Sequence, residues 1–169
     1  MKYEYHGYLI PFLFFILISI EVLSAQPKAG NIGISAAVQE QQLDFYFPVW
    51  VGNRIVLAPA LGYLNASHKF TDISLGFSFR GYVKKEKLSS YLGLRTGTFI
   101  YTPKREDTVF DYLVGLCFGS EYYLDSRFCI GGELQLNATI SNEASFRFGN
   151  PGGTNFNTAT ALFFTFYFK

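Results

Sequence analysis

Apolar and polar residues alternate along most of this chain. The clearest stretch runs from Phe128 to Ile140, where one face is apolar or small throughout and the other is polar or small. This period of two is typical of a β-strand, because successive side chains of a strand point to opposite faces. After residue 25 the sequence has no convincing helical period and no apolar run of helical-span length. The pattern therefore predicts an all-β fold.

Eight such segments are predicted as antiparallel strands. They cover residues 31–38, 43–51, 54–64, 70–83, 88–101, 109–124, 128–140 and 158–168. Most reach the roughly 9–11 residues that a tilted strand needs to cross a bilayer, whereas strands of soluble proteins most often have about 5–6. Pro48 and Pro59 lie inside the second and third segments. Because proline cannot donate to the ladder, each indicates a bulge or a strand end.

The predicted connections alternate in length. Short turns are predicted at residues 52–53, 84–87 and 125–127, and longer loops at 65–69, 102–108 and 141–157, with 39–42 as a modest first member of the longer set. Short turns at one end and longer loops at the other are typical of an outer-membrane barrel. An even strand count places both termini at the short-turn end. The sequence thus predicts an eight-stranded antiparallel transmembrane β-barrel.

Composition favours this membrane barrel over a soluble one. Aromatic residues make up 19% of the chain and charged residues 16%, whereas a soluble domain carries roughly 25% charged residues. Aromatic side chains concentrate near predicted strand ends, which predicts two interfacial girdles. The short-turn girdle would contain Trp50, Tyr82, Tyr91, Tyr122, Phe128, Phe166 and Phe168, and the long-loop girdle Tyr63, Phe70, Tyr101, Phe110 and Tyr112.

The first residues have the features of an export signal. Lys2 precedes an apolar run over residues 9–20, and Leu23-Ser24-Ala25 offers small residues before Gln26. A membrane anchor is disfavoured because a spanning helix needs ~20 apolar residues, and this shorter run contains Pro11. We therefore expect residues 1–25 to be a cleaved signal peptide and residues 26–169 to form the barrel.

Two stretches of the sequence resemble a known family. Residues 115–137, GLCFGSEYYLDSRFCIGGELQLN, are similar to the penultimate hairpin of small OmpA/OmpX-like barrels and of the porin-like outer membrane protein β-barrel domain family. The shared features are a Gly-x-x-x-Gly-x-x-Tyr strand, an Asp/Ser turn and a strand with an inward Glu. Residues 54–63, RIVLAPALGY, are similar to the third strand of these families, including its proline. The resemblance implies a bacterial outer-membrane protein, and the Ser-Ala-Gln junction resembles Bacteroidetes-type exports.

No residue set predicts a catalytic, cofactor or metal site. His68 is the only histidine after the signal segment, and its neighbour Ser67 would point the opposite way in an extended chain. Cys117 and Cys129 lack the spacing of metal ligands. On the predicted hairpin they lie about 20 Å apart, beyond the reach of a disulfide. We expect both cysteines to be free and to face the lumen.

Charged residues inside the predicted strands form the candidate functional set. Arg80, Arg95, Glu121 and Glu133 all lie on the polar face of their strands. An Arg that faced lipid near the midplane would cost ~2–4 kcal/mol, so these charges should face the lumen. We expect a buried network in which Arg95 pairs with Glu133, with Glu121 paired to Arg95 or Arg80 as the alternative. Asp72 and Asp111 extend the set toward the longer loops.

These observations favour a non-enzymatic outer-membrane barrel with a structural or surface-interaction role, exerted through its outward loops and above all through residues 141–157. A narrow pore or gated passage for small solutes is the first alternative, with the lumen charges as its gate. A soluble lipocalin-like barrel that binds an apolar ligand is the second, and it would turn its apolar face inward. A net charge of +1 argues against nucleic acid as a partner. The expected partners are outer-membrane lipid and extracellular ligands or proteins at the loops, and we expect a monomer.

Overall fold

A computed structural model describes residues 26–39, 42–66, 70–103 and 107–168. The predicted signal peptide and His68 lie outside these ranges. Within them, no helix could span a membrane. The strands are β1 (Gly33–Gln39), β2 (Gln42–Tyr46), β3 (Val49–Trp50), β4 (Ile55–Ala66), β5 (Phe70–Tyr82), β6 (Leu88–Pro103), β7 (Val109–Tyr123), β8 (Phe128–Ile140) and β9 (Thr154–Tyr167).

The strands form one closed antiparallel barrel. From β4 to β9 each strand pairs with the next in the chain, β1 pairs with both β2 and β9, and β2 also pairs with β4. Strands β2 and β3 occupy the same position in the wall, because both pair with β4 in a single register. The barrel therefore has eight positions, as the sequence predicts.

Both prolines contribute to the break between β2 and β3. Pro48 lies in the interruption itself, and Pro59 lies opposite it on β4. The Phe47 N–H donates to the Pro59 carbonyl at 2.9 Å, but Pro59 has no N–H with which to return the bond. The ladder fails on both sides at the same point, which is why a strand predicted over 43–51 is divided.

The two ends of the barrel differ less in loop length than predicted. At the end that holds residues 26 and 168, called the turn end below, the connections are residues 51–54, 83–87 and 124–127. At the opposite loop end they are residues 40–41, 67–69, 104–108 and 141–153. The loop expected at 65–69 is shorter because β4 pairs as far as Ala66 with Thr71 on β5, and the loop expected at 102–108 is shorter because β6 pairs as far as Pro103 with Phe70. Strand β9 also begins at Thr154 rather than at residue 158.

Apolar side chains cover the outside of the barrel and polar ones lie within it. The outward faces of β6, β7 and β8 carry long aliphatic side chains that are more than half exposed: Leu92, Leu94, Val114, Leu116, Leu134 and Leu136. Arg80, Glu121, Glu133 and Gln135 are buried inside. A soluble lipocalin-like barrel would have the opposite arrangement, with its apolar face inward.

Aromatic rings fill the interior at the turn end. Trp50, Tyr82, Tyr91, Tyr123 and Tyr167 are all buried there. Ring centroids are 4.7 Å apart between Trp50 and Tyr82 and 5.2 Å apart between Tyr82 and Tyr91. The girdle assignment of Trp50, Tyr82 and Tyr91 is therefore wrong, because these side chains occupy inward positions of their strands. The outward-facing members of that set, Tyr122, Phe166 and Phe168, are exposed.

Inward glycines make room for these rings. Tyr91 on β6 lies opposite Gly119 on β7, and Phe163 on β9 lies opposite Gly131 on β8. A β-carbon at Gly119 would overlap the Tyr91 ring, and one at Gly131 would overlap Phe163. The packing of the turn end thus requires glycine at these two positions.

We predict that Gly119→Ala destabilises the refolded barrel by about 1–3 kcal/mol, the usual cost of overpacking a core. Gly132→Ala is the matched control, because the added β-carbon would face outward with its nearest neighbour, Leu162 Cδ2, 3.7 Å away. Urea unfolding in detergent measures both variants. Equal unfolding midpoints for the two would show that Tyr91 does not depend on the space at Gly119.

Candidate functional site

Arg80 lies at the centre of the charged interior. It projects from β5 and is 2% exposed. Its Nη1 lies 3.6 Å from Glu121 Oε1 on β7, and its Nη2 lies 3.6 Å from Glu133 Oε2 on β8. Its Nε donates to Ser78 Oγ at 3.3 Å. One guanidinium therefore bridges two carboxylates that belong to neighbouring strands.

Neutral donors also hydrogen-bond both carboxylates. The Tyr91 hydroxyl donates to Glu133 Oε2 at 2.7 Å, and Gln135 Nε2 donates to Glu133 Oε1 at 2.8 Å. The Tyr123 hydroxyl donates to Glu121 Oε2 at 2.7 Å. Hydrogen bonds to an ionised acceptor are stronger than neutral ones, so these donors stabilise carboxylates that are shielded from water.

Aromatic faces surround the Arg80 guanidinium. Its central carbon lies 5.0 Å from the ring centroid of Tyr91 and 5.3 Å from those of Tyr46 and Phe163. A guanidinium within ~6 Å of an aromatic face is attracted by the ring quadrupole, most strongly where water is excluded. The turn-end aromatic cluster and the charged cluster are thus parts of one packed interior.

Arg95 lies apart from this cluster. Among the described residues no ion pair within 4.0 Å joins it to a carboxylate, and its buried Nη1 has no hydrogen-bond partner. It lines a cavity of about 30 Å³ together with Asp44, Ser74 and Glu133. A polar cavity of this size has room for about two water molecules. Water-mediated contact between Arg95 and the carboxylates is therefore sterically possible.

The direct pair expected between Arg95 and Glu133 is not formed, and strand register explains why. Two residues are called level here when register partners connect them from strand to strand. Arg80 is level with Gly93 on β6, Cys117 on β7 and Gln135 on β8. Arg95 is level with Gly115 on β7 and Asn137 on β8. Glu133 therefore lies nearer to the level of Arg80, and the pair of Arg80 with Glu121 is the alternative that the structure contains.

The turn-end opening is crossed by the segment before β1. Lys85 lies in the connection between β5 and β6. Its Nζ donates to the Pro27 carbonyl at 2.6 Å and lies 4.5 Å from the Trp50 ring centroid. Gln26 Nε2 donates to the Glu86 carbonyl and to Ser89 Oγ. Partial burial lowers the pKa of the Lys85 ammonium. Residues 26–31 thus form a strap over the aromatic cluster.

The loop-end opening is covered by residues 141–153. Arg147 forms ion pairs with Asp72 and, at 3.7 Å, with Asp111, and its guanidinium lies 4.9 Å from the Phe99 ring centroid. Phe148 packs edge-on against Phe99 at 5.6 Å. The sequence predicts that both aspartates extend the lumen charges toward the longer loops, but it contains no sign that they pair with Arg147.

The same loop is braced by hydrogen bonds to Asp111. The Asn142 N–H donates to Asp111 Oδ1 at 2.8 Å, and Ser145 Oγ donates to Oδ2 at 2.6 Å. The Gly152 N–H donates to the Asn142 carbonyl at 3.1 Å. These bonds give the loop a defined shape that folds inward over the lumen.

No family model matches the sequence, and no curated protein matches it. Among solved structures, the chain is similar to the crystal structure of the N-terminal β-barrel domain of Pseudomonas aeruginosa OprF. The TM-score is 0.53 and the sequence identity 13%, with 82% of this chain and 96% of that chain covered. The chain has the fold of the OprF barrel domain. The resemblance to small OmpA-like barrels is thereby confirmed for the fold.

Both cysteines of this OprF-like barrel are free and buried. Cys129 is level with Tyr123 on the β7–β8 hairpin, and Cys117 is level with Gln135. This separation along the hairpin is the one expected from the sequence, and it confirms that the two thiols are not joined. Among the described residues, no group of three or more His, Cys, Asp or Glu side chains could hold a metal ion.

We predict that Arg80 and Glu133 are energetically coupled. A double-mutant cycle with Arg80→Ala and Glu133→Gln in the refolded barrel should give a coupling energy of about 1–3 kcal/mol, because each single change leaves a buried partner uncompensated. Urea unfolding supplies the four stabilities.

The control cycle pairs Arg95→Ala with Glu133→Gln. Its coupling should be smaller, since only a water-sized cavity connects Arg95 with Glu133. Equal coupling in the two cycles would contradict the central role of Arg80.

Proposed function

We propose that this chain is a non-enzymatic bacterial outer-membrane β-barrel protein that displays its loop end at the cell surface. The observation that carries the proposal is the orientation of the wall. Arg80, Glu121 and Glu133 are enclosed, whereas long aliphatic side chains such as Leu116 and Leu136 face outward. This arrangement leaves a large apolar surface in water but matches a lipid environment.

The height of the apolar surface supports a membrane position. On β7 the outward positions from Tyr122 to Phe110 are apolar or aromatic except for Ser120. At ~3.3 Å per residue and a tilt of about 40°, this stretch is about 30 Å tall, close to the ~25 Å apolar band of outer-membrane barrels. The fold shared with the OprF barrel agrees with this position.

The filled interior favours display over transport. Charged and aromatic side chains occupy the lumen. The strap, residues 26–31, crosses the turn end, and residues 141–153 fold over the loop end. An eight-stranded interior is only wide enough for side chains. Hydrogen bonds and ion pairs hold the covering loop, and Phe146 on this loop is 80% exposed. An exposed aromatic on an ordered loop is the kind of group that anchors a partner protein.

Membrane insertion is tested by fractionation. We expect the mature protein to sediment with the outer membrane and to migrate differently on a gel before and after heating in SDS. Recovery in the soluble periplasmic fraction would contradict the proposal.

Topology is tested by labelling cysteine variants with a membrane-impermeant maleimide on intact cells. We predict that Phe146→Cys is labelled, because the Phe146 side chain is 80% exposed at the loop end. Lys84→Cys is the matched control: the Lys84 side chain is 67% exposed but lies at the turn end. Labelling of Lys84→Cys should require permeabilised cells, and the reverse pattern would invert the orientation.

A narrow solute passage is the second candidate function, and the cavity beside Arg95 and Asp44 favours it. Planar-bilayer recordings separate the two candidates. We predict no single-channel conductance for the wild-type protein, nor for Arg147→Ala, because the aromatic cluster still closes the turn end when the loop is released. Steady conductance through the wild-type barrel would favour the passage.

A further inference from the structure

Strand β9 extends beyond its neighbour β1 at the loop end. The two strands pair only from Gly33 with Tyr167 to Val38 with Leu162. Residues 154–161 pair with β8 on one side and with no strand of the described chain on the other.

The hydrogen-bonding pattern shows which backbone groups face this free edge. The Ser141 N–H donates to the Gly153 carbonyl at 2.9 Å, so odd-numbered residues of β9 bond toward β8. The Phe168 N–H donates to the Ile32 carbonyl at 2.7 Å, so even-numbered residues bond toward β1. Because residues of a strand alternate in this way, the N–H and C=O groups of Phe156 and Thr158 point beyond the end of β1.

The free edge lies at the depth of the apolar band. Thr158 is in register with Leu136, and Phe156 with Ala138. Leu136 is 59% exposed and lies well within the outward apolar face of β8. Hydrocarbon cannot hydrogen-bond a peptide group, so an exposed edge at this depth is unfavourable unless polar groups satisfy it. The occupant of this edge must therefore carry hydrogen-bonding groups.

An apolar groove on the outer wall ends at β9, on the side of this strand that faces β8. Its volume is about 820 Å³, and Leu116, Leu136, Ala138, Phe156 and Thr158 are among its lining residues. Phe156 is 85% exposed and stands beside the smaller Ala138. On the lumen side of the edge Asn157 is partly exposed, whereas its register partner Asn137 is buried. Apolar and hydrogen-bonding surfaces thus meet at Phe156 and Thr158.

We infer that this groove and the free edge of β9 form a binding site for an amphiphilic lipid of the outer leaflet. The acyl chain would lie along Leu136 and Ala138 against Phe156. The polar head would bond the backbone groups of Phe156 and Thr158 and the Asn157 amide. This inference rests on the membrane position proposed above.

A second copy of the chain is a poorer occupant of the edge. Copies inserted in the same direction are related by an axis along the membrane normal, so their β9 strands would run parallel. With strand tilts of about 40°, the two edges would cross at about 80° and could not form a ladder. Lipid is therefore the occupant that the geometry favours.

The free edge is tested by adjacent proline substitutions. Thr158→Pro removes an N–H that points to the free edge, so its folded fraction, measured by heat-modifiable migration, should equal that of wild type. Asn157→Pro removes an N–H that bonds to β8 and should lower the folded fraction at least several-fold. Equal loss in both variants would mean that the edge is paired, and would overturn the inference.

Lipid binding is tested by native mass spectrometry of the full mature barrel, with palmitoyl lysophosphatidylethanolamine as the probe. Wild type should retain one molecule, and Ala138→Trp, which fills the groove, should bind it at least about tenfold more weakly. The control is Leu75→Trp, an outward substitution on β5 away from the groove, which should bind like wild type. Phe156→Ala provides a second variant with the same expected loss, since its exposed ring supports little of the fold.

Equal retention by all these variants would indicate a non-specific lipid shell and would overturn the inference, as would the absence of retained lipid. Either result would leave the membrane position intact if the protein still sediments with the outer membrane. Recovery in the soluble fraction would instead remove the proposed function and this inference together.

Discussion

In hydrocarbon no solvent molecule can hydrogen-bond a peptide group, so a wall that spans a membrane, as we propose for this barrel, has to satisfy its own backbone. Here the pairings β1–β9 and β2–β4 meet this requirement by closing the sheet. Closure with eight strands also makes the interior narrow. The interior is polar because apolar and polar residues alternate along each strand and the apolar ones face outward. The enclosed charge of Arg80, its two carboxylate partners and the surrounding tyrosines are consequences of that geometry. The backbone of the wall is least well satisfied where β9 extends beyond the end of β1.

Local pattern was enough to predict most of the wall. The alternation over residues 128–140 coincides with β8, because a period of two can be identified from the sequence alone. The same parity placed Arg80, Glu121 and Glu133 on inward faces. The separation of Cys117 and Cys129 was also predictable, since one short turn fixes the register of a hairpin.

Features that depend on several strands at once could not be predicted in this way. Pairing Arg80 rather than Arg95 with Glu133 requires the stagger accumulated across β6, β7 and β8. Trp50 and Tyr82 lie near strand ends, where an aromatic suits either the lipid interface or the interior. Parity does distinguish the two cases here, because Tyr82 shares the inward parity of Arg80 and Trp50 that of Tyr46. Arg147 reaches Asp72 only because the barrel brings residues distant in sequence to one opening.

The position of Trp50 gives the molecule an internal reporter. It is the single tryptophan of the chain and is 1% exposed. Its ring centroid lies 4.7 Å from that of Tyr82 on β5 and 6.4 Å from that of Tyr167 on β9. Those neighbours come together only when the first and last strands have met. The fluorescence of Trp50 will therefore follow the sealing of the cylinder, a late event in assembly that backbone circular dichroism cannot distinguish from earlier strand formation.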